Sequence, residues 1–170
     1  PCTAIIITSD KAYDNVEQIW GYKENDRMGG KDIYSGSKGA AEFVIKSYYH
    51  SFFKLEKSNV RLATARAGNV IGGGDWAKDR IVVDAMLAWH EGRKIKIRSP
   101  NATRPWQHVL EPLSGYLNLG QKLFSDKSFN GECFNFGPRP EQNQTVKELL
   151  QDLMEFWNFD KSKNAFTIID

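Results

Sequence analysis

Residues 3–8 (Thr-Ala-Ile-Ile-Ile-Thr) form a short, uninterrupted apolar run rich in β-branched side chains. That is the pattern of a strand buried on both faces, and therefore of a parallel sheet. Residues 59–67 (Asn-Val-Arg-Leu-Ala-Thr-Ala-Arg-Ala) alternate in polarity and read as a second strand. Between them, from Tyr34 to about Lys54, Ala40, Ala41, Phe43, Val44, Ile45, Tyr48, Phe52 and Leu55 recur at three-to-four spacing, as on an amphipathic helix. Strand, crossover helix and strand make a βαβ unit, so the expected fold class is α/β with a parallel sheet.

The remaining segments fit that class. Residues 12–33 have no sustained period and carry Asn25-Asp26, Gly29-Gly30 and Lys31-Asp32. They read as a long loop of the kind that is functional or mobile. In it, Trp20 and Tyr22 either cover a ligand or pack onto the sheet, and packing is the simpler reading. A helix is expected over 79–91, with Ile81, Val82, Ala85, Met86 and Trp89 on one side and Gly92 closing it. A short strand is expected over 94–98, a helix from Glu111-Pro112 to about Phe124, and a strand over 132–136. Thr145 with Glu148 is a capping box that opens a last helix through Leu149, Leu150, Leu153, Phe156 and Trp157.

Several polar clusters are candidates for chemistry. Thr8-Ser9-Asp10-Lys11 stands at the carboxyl end of the first strand, where open α/β sheets bind ligands. Taken alone, Asp10-Lys11 reads better as a solvated turn. Tyr34 and Lys38 lie four apart, on one helix face with Cβ atoms roughly 5–6 Å apart. An ammonium at that distance favours a phenolate, against a free tyrosine pKa of about 10. The same spacing also occurs in ordinary surface pairs. Residues 68–76 (Gly-Asn-Val-Ile-Gly-Gly-Gly-Asp-Trp) are either a flexible loop or a place where backbone approaches a ligand closely. Arg104, between Thr103 and Pro105, presents a planar fork suited to phosphate, or lies along Trp106.

Other function classes find no support. A net charge of +2 gives no electrostatic case for nucleic acid or a membrane surface. No apolar run approaches the roughly 20 residues of a membrane helix, and no signal peptide is evident. Cys2 and Cys133 have neither metal spacing nor a disulfide framework, which fits a reducing cytosol.

Five motifs in order give the chain a family resemblance. They are Thr8-Ser9-Asp10-Lys11, Trp20-Gly21-Tyr22, Tyr34-Ser35-Gly36-Ser37-Lys38-Gly39, residues 66–76, and residues 104–112 (Arg-Pro-Trp-Gln-His-Val-Leu-Glu-Pro). Together they resemble the extended short-chain dehydrogenase/reductase enzymes that act on nucleotide sugars. The second and fourth look like the branch acting on CDP-glucose. The resemblance implies a Rossmann-type core over 1–70 and 105–130, and a smaller interleaved substrate-binding domain over 71–104 and 131–170. It implies NAD as cofactor, a small nucleotide-sugar substrate, a homodimer of the full-length enzyme, and 4,6-dehydration by 4-oxidation, loss of water across C5–C6 and hydride return to C6.

The implied roles are specific. Tyr34 removes the proton of the sugar 4-hydroxyl. Lys38 binds the nicotinamide ribose and depresses the tyrosine pKa. Thr8 and Ala67 lie against the cofactor, and Ser9 hydrogen-bonds the 4-hydroxyl. Asn69, Arg104 and Asn135 contact the nucleotide and its diphosphate, with Arg80 near them. Asp10 protonates the leaving hydroxyl. Lys11 takes the C5 proton, where many relatives have glutamate, and burial and Lys38 are expected to favour its neutral form. Another nucleotide-sugar dehydratase or a 4-epimerase of the same superfamily, or a non-catalytic Rossmann-like binding protein, is the alternative. An epimerase needs no Asp-Lys pair, and a binding protein needs no Tyr-Lys pair.

A Rossmann enzyme also needs a glycine-rich turn after its first strand, and residues 1–170 supply none. The expectation is a partial chain lacking the amino-terminal cofactor half and short at the carboxyl end. Such a chain by itself would bind NAD poorly, have negligible activity and be prone to edge aggregation.

Overall fold

The computed structural model describes residues 2–157 and 165–169. Pro1, 158–164 and Asp170, all within the domain ranges expected above, lie outside the described residues. Among the described residues there are four α-helices: α1 (Ile33–Tyr48), α2 (Ile81–His90), α3 (Leu110–Ser125) and α4 (Val146–Phe156). The strands are β1 (Cys2–Ile7), β2 (Val60–Ala67), β3 (Val70–Ile71), β4 (Ile95–Ile97), β5 (Thr103–Arg104), β6 (Gln107–His108), β7 (Cys133–Phe136), β8 (Gln144–Thr145) and β9 (Phe166–Ile168). The chain forms two compact units, Pro1–Val70 with Gln107–Gly137 and Ile71–Trp106 with Pro138–Asp170.

The first unit is built on a parallel sheet in the order β1-β2-β7. Its register runs from Cys2↔Val60 to Ile7↔Ala65 and from Thr64↔Cys133 to Ala67↔Phe136. Successive side chains of β2 point to opposite faces. Ala63 and Ala65 pack with Leu119 and Leu123 of α3, and with Ile5, Tyr116, Phe129, Phe134 and Phe136. Arg66, of the other parity, meets α1. So the sheet lies between α1 and α3. Leu62 to Ala67 are all buried, because both faces of β2 are covered. The alternation of this strand therefore separates two packed faces and not a dry face from a wet one. Arg61 fastens α3 to the sheet, donating from Nη1 to the Leu123 and Phe124 carbonyls at 3.0 and 2.5 Å. Those carbonyls lie in the last turn of the helix and have no intrahelical partner.

Three expectations, on β1, on the stripe of α1 and on the domain boundaries, need correction here. β1 is parallel but not buried on both faces: Ile6 and Ile7 are exposed. It pairs with β2 on one side, and among the described residues no strand pairs with its other edge. The apolar stripe expected to bury α1 faces outward, with Phe43, Val44, Tyr48, Phe52 and Leu55 exposed. The buried face of α1 is Ser35, Gly39 and Glu42, which are small or polar and close against the sheet and its loop. On α3, Leu113 and Leu117 are exposed, and Pro112, Leu119 and Leu123 are the buried positions. Residues 131–137, assigned to the second domain, belong to the first unit because β7 pairs with β2. Residues 105–106 fall in the second unit.

In the second unit, α2 and α4 share a core of Ala85, Ala88, Trp89, Ile95, Ile97, Leu150, Ala165 and Phe166. β4 pairs with β9 in parallel, Ile95↔Phe166 to Ile97↔Ile168. The Trp89 indole donates to the Ala165 carbonyl at 3.0 Å. β5 and β8 pair antiparallel, Thr103↔Thr145 and Arg104↔Gln144. The capping box forms as read: the Glu148 N–H donates to Thr145 Oγ1 at 3.1 Å and the Thr145 N–H to Glu148 Oε2 at 2.8 Å. The Thr145 N–H and hydroxyl, both donating to the carboxylate, hold the Glu148 carboxyl below its usual range. Among the described residues no helix is long and apolar enough to cross a membrane.

Candidate active site

The site begins where β1 runs out. The Thr8 N–H still donates to the Ala65 carbonyl at 2.8 Å, extending the ladder by one residue. Ser9 then caps a single 3-10 turn, Asp10–Ala12. Its Oγ accepts from the Lys11 N–H at 3.2 Å, and its hydroxyl donates to the Asp10 carboxylate at 3.1 Å. Ser9 and Ala12 are buried, Asp10 is half-buried and Lys11 is exposed. The burial expected for Lys11 is therefore absent from the described chain. The returning loop is pinned to the same turn, since the Gly29 N–H donates to the Ala12 carbonyl at 2.9 Å.

Helix α1 rests on this turn. A Cβ on Gly39 would lie 3.5 Å from the Ala12 carbonyl oxygen, an ordinary contact distance, so the helix passes directly against the turn here. The helix starts at Asp32, whose carboxylate accepts from the Ser35 N–H at 2.9 Å and the Ser35 hydroxyl at 2.6 Å. This N-cap satisfies a donor the helix leaves unpaired. The Ser35 hydroxyl and amide hold the Asp32 carboxyl below its usual range, and the Lys11 charge adds to the effect. Two residues past the cap, Tyr34 stands 56% exposed. One turn on, the Lys38 ammonium lies 5.5 Å from the Tyr34 ring centre.

The structure therefore brings Thr8, Ser9, Asp10, Lys11, Tyr34 and Lys38 onto one strand end and the helix packed against it. Ala67, at the end of β2, is buried beside Phe136 in register. Asn69 follows it, half-buried, with its carbonyl accepting from the Gln107 N–H at 2.9 Å. The Asn135 amide is engaged on both sides: Oδ1 accepts from the Tyr13 hydroxyl at 2.7 Å and Nδ2 donates to the Tyr22 carbonyl at 2.9 Å. Arg80 and Arg104 belong to the second unit. Arg80 is exposed and 3.8 Å from Asp75, a surface pair of little energetic weight. Arg104 is half-buried and donates to the Thr103 carbonyl at 2.7 Å. Trp20 is exposed, contrary to the packing reading, whereas Tyr22 stacks on Tyr13 with centroids 5.2 Å apart.

Sequence reasoning missed the group beneath the site. Arg66, 2% exposed, donates from Nε and Nη2 to the two carboxylate oxygens of Glu42 at 2.8 and 3.0 Å. Its Nη1 donates to the Tyr13 hydroxyl at 2.7 Å and the Glu24 carbonyl at 3.0 Å. The Thr8 hydroxyl also donates to Glu42. Burial opposes the Arg66 charge, but the bonds to Glu42 and Tyr13 outweigh it and raise the guanidinium pKa. Burial pushes the Tyr13 hydroxyl up as well, against the pull of Arg66, so it remains a donor to Asn135. The available signal was Glu42 itself, a charge one turn beyond Lys38 among alanines and aromatics.

The arrangement suits hydroxyl chemistry. A phenol and an ammonium side by side on an open helix face match the donors and acceptors that a ribose diol and a sugar hydroxyl require. These residues fit the ribose end of a dinucleotide.

No protein-family model matches the chain. It is 50% identical over 159 residues to the CDP-glucose 4,6-dehydratase of Salmonella typhimurium strain LT2, covering 92% of this chain and 44% of that protein. The chain thus spans less than half the length of that relative. Among solved structures, a UDP-glucuronic acid 4-epimerase from Bacillus cereus in complex with UDP-glucuronic acid and NAD is similar, with a TM-score of 0.80. It is 16% identical, over 99% of this chain and 48% of that one. A dTDP-glucose 4,6-dehydratase from Bacillus anthracis in complex with NAD has a TM-score of 0.77 at 18% identity, over 98% and 49%. The parallel sheet flanked by α1 and α3 is accordingly part of a Rossmann-type α/β fold. Over 92% of its length the chain is homologous to part of that CDP-glucose 4,6-dehydratase, and it shares the fold of the solved dehydratase and epimerase.

Proposed function

We propose that the protein carrying this chain is a CDP-glucose 4,6-dehydratase. The observation that carries the reading is the packing of the Tyr34–Lys38 helix directly on the Ser9–Asp10–Lys11 turn. An oxidation at C4 and an elimination across C5–C6 act on neighbouring atoms of one sugar and need two sets of groups side by side.

Tyr34 takes the proton of the 4-hydroxyl, and Ser9 holds that hydroxyl by a hydrogen bond. Lys38 orients the cofactor ribose and lends its charge to the tyrosine oxygen. Thr8 and Ala67 line the cofactor side. NAD, when bound, supplies the hydride acceptor and donor. The ketone formed at C4 acidifies C5–H. Lys11 takes that proton, and Asp10 gives one to the departing 6-hydroxyl, so water leaves. Asn69, Arg80, Arg104 and Asn135 are the proposed nucleotide and diphosphate contacts. Arg104 is the best suited of them to a phosphate by its fork. The whole protein is proposed to work as a homodimer in the cytoplasm. An epimerase would have no use for Asp10 and Lys11 in these roles.

The test is to incubate the full gene product with NAD and, separately, CDP-, UDP-, GDP- and dTDP-glucose. The reading expects the 4-keto chromophore with CDP-glucose. A product epimerised at C4 with its 6-hydroxyl intact would replace it with the epimerase reading.

A further inference from the structure

We infer that the buried Arg66–Glu42 pair is a positioning device that sets the Tyr34–Lys38 helix against the Ser9–Asp10 turn. Glu42 lies one turn beyond Lys38 and two beyond Tyr34, so fixing Glu42 fixes the rotation and height of both along α1. A planar guanidinium bound through two parallel N–H···O contacts permits one relative orientation, which a single point charge does not.

The pair joins every segment that contributes to the site in this unit. Arg66 stands on β2 and Glu42 on α1. Thr8, next to Ser9 at the end of β1, donates to Glu42. Tyr13, just past the Asp10–Ala12 turn, accepts from Arg66 and donates to Asn135 on β7. The Arg66 guanidinium also stacks over the Tyr13 ring at 5.0 Å. The Glu24 carbonyl ties in the loop, and the Glu24 carboxylate accepts from the Asn135 N–H at 2.9 Å. Neither Arg66 nor Glu42 is exposed enough to meet a substrate, at 2% and 4%. Their effect on chemistry is through geometry. A buried ion pair is weak evidence for stability, since an apolar pair of similar volume commonly serves as well. What the apolar pair lacks is direction.

The kinetic part of the claim rests on the dehydratase reading above. The test uses the full gene product carrying Arg66→Met together with Glu42→Leu. Hydrogen exchange is measured without substrate, and kcat and KM with the nucleotide sugar. The expected result is an unfolding midpoint near wild type and roughly tenfold or greater loss of amide protection at residues 36–42, with α3 residues 116–123 unchanged. Alongside this, kcat falls by about 10²-fold, the scale of a ~1 Å misplacement, while KM stays within about threefold. Unchanged kcat in the folded variant, or protection lost equally everywhere, overturns the inference. If the double variant does not fold, Arg66→Lys is read in the same two ways, because it keeps the charge and loses the fork. If that also fails to fold, the pair is a folding requirement and the positioning claim is wrong. A wild-type protein inactive on every nucleotide sugar rejects the dehydratase reading alone, and the exchange measurement then decides the positioning claim.

Discussion

Lys38 holds its ammonium 5.5 Å from the centre of the Tyr34 ring, and the tyrosine is more than half exposed at the start of α1. The pair is thus formed by the helix itself and needs no ligand to assemble. Tyr34→Phe removes one oxygen from an open surface. In the full gene product it is expected to lower kcat by about 10²–10⁴-fold, the range for loss of a positioned acid–base group, with the unfolding midpoint unchanged. Steady-state kinetics beside a thermal melt checks both halves.

Lys11 distinguishes oxidation from elimination. Lys11→Met is expected to leave 4-oxidation intact and abolish loss of water, so reduced cofactor accumulates and no 6-deoxy product forms. Because Lys11 is exposed at the turn, the substitution leaves the core untouched. Dehydration at the wild-type rate in this variant would remove Lys11 from the mechanism.

Much of this was legible in the residues, for identifiable reasons. The β-branched run at 3–8, the capping box at Thr145 and the Tyr-x-x-x-Lys spacing are local signals, and local physics determines them. The buried face of α1 was not legible. Periodicity assigns burial to apolar residues, and here Glu42 is buried because Arg66, 24 positions away, supplies its partner. Charge complementarity across that distance leaves no periodic trace. The seven residues before Pro138 were misassigned for a similar reason. β7 is short, and its place beside β2 is a matter of pairing rather than composition.

Asp32 gives a pH-dependent signature. Its carboxyl is held low in the folded chain by the Ser35 hydroxyl and amide, so the folded state binds that proton less tightly than the unfolded state. The cap therefore stabilises the fold above the ordinary aspartate range, about pH 3.9, and the contribution is lost as pH falls through the lowered value. Asp32→Ala is expected to lower the unfolding midpoint at neutral pH, with the gap to wild type narrowing in acid. A gap of constant size across that range would contradict this account of the cap.

Leu150 tests the second unit. It is fully buried among Trp89, Ile97 and Phe166, and Leu150→Ala is expected to cost about 2–5 kcal/mol. Trp89 belongs to the same cluster and Trp157 packs against it, so tryptophan fluorescence during urea unfolding reports it. A loss under about 1 kcal/mol would mean that the site collapses around the deletion more completely than cores of this kind do.

The most direct test of the central claim is to run the full gene product with NAD and CDP-glucose in D2O and locate the label. If the sugar is oxidised at C4, dehydrated and reduced at C6, the product is lighter than the substrate by one water and carries a single deuterium at C5. A product of unchanged mass, or one lacking deuterium at C5, would contradict 4,6-dehydration at this site.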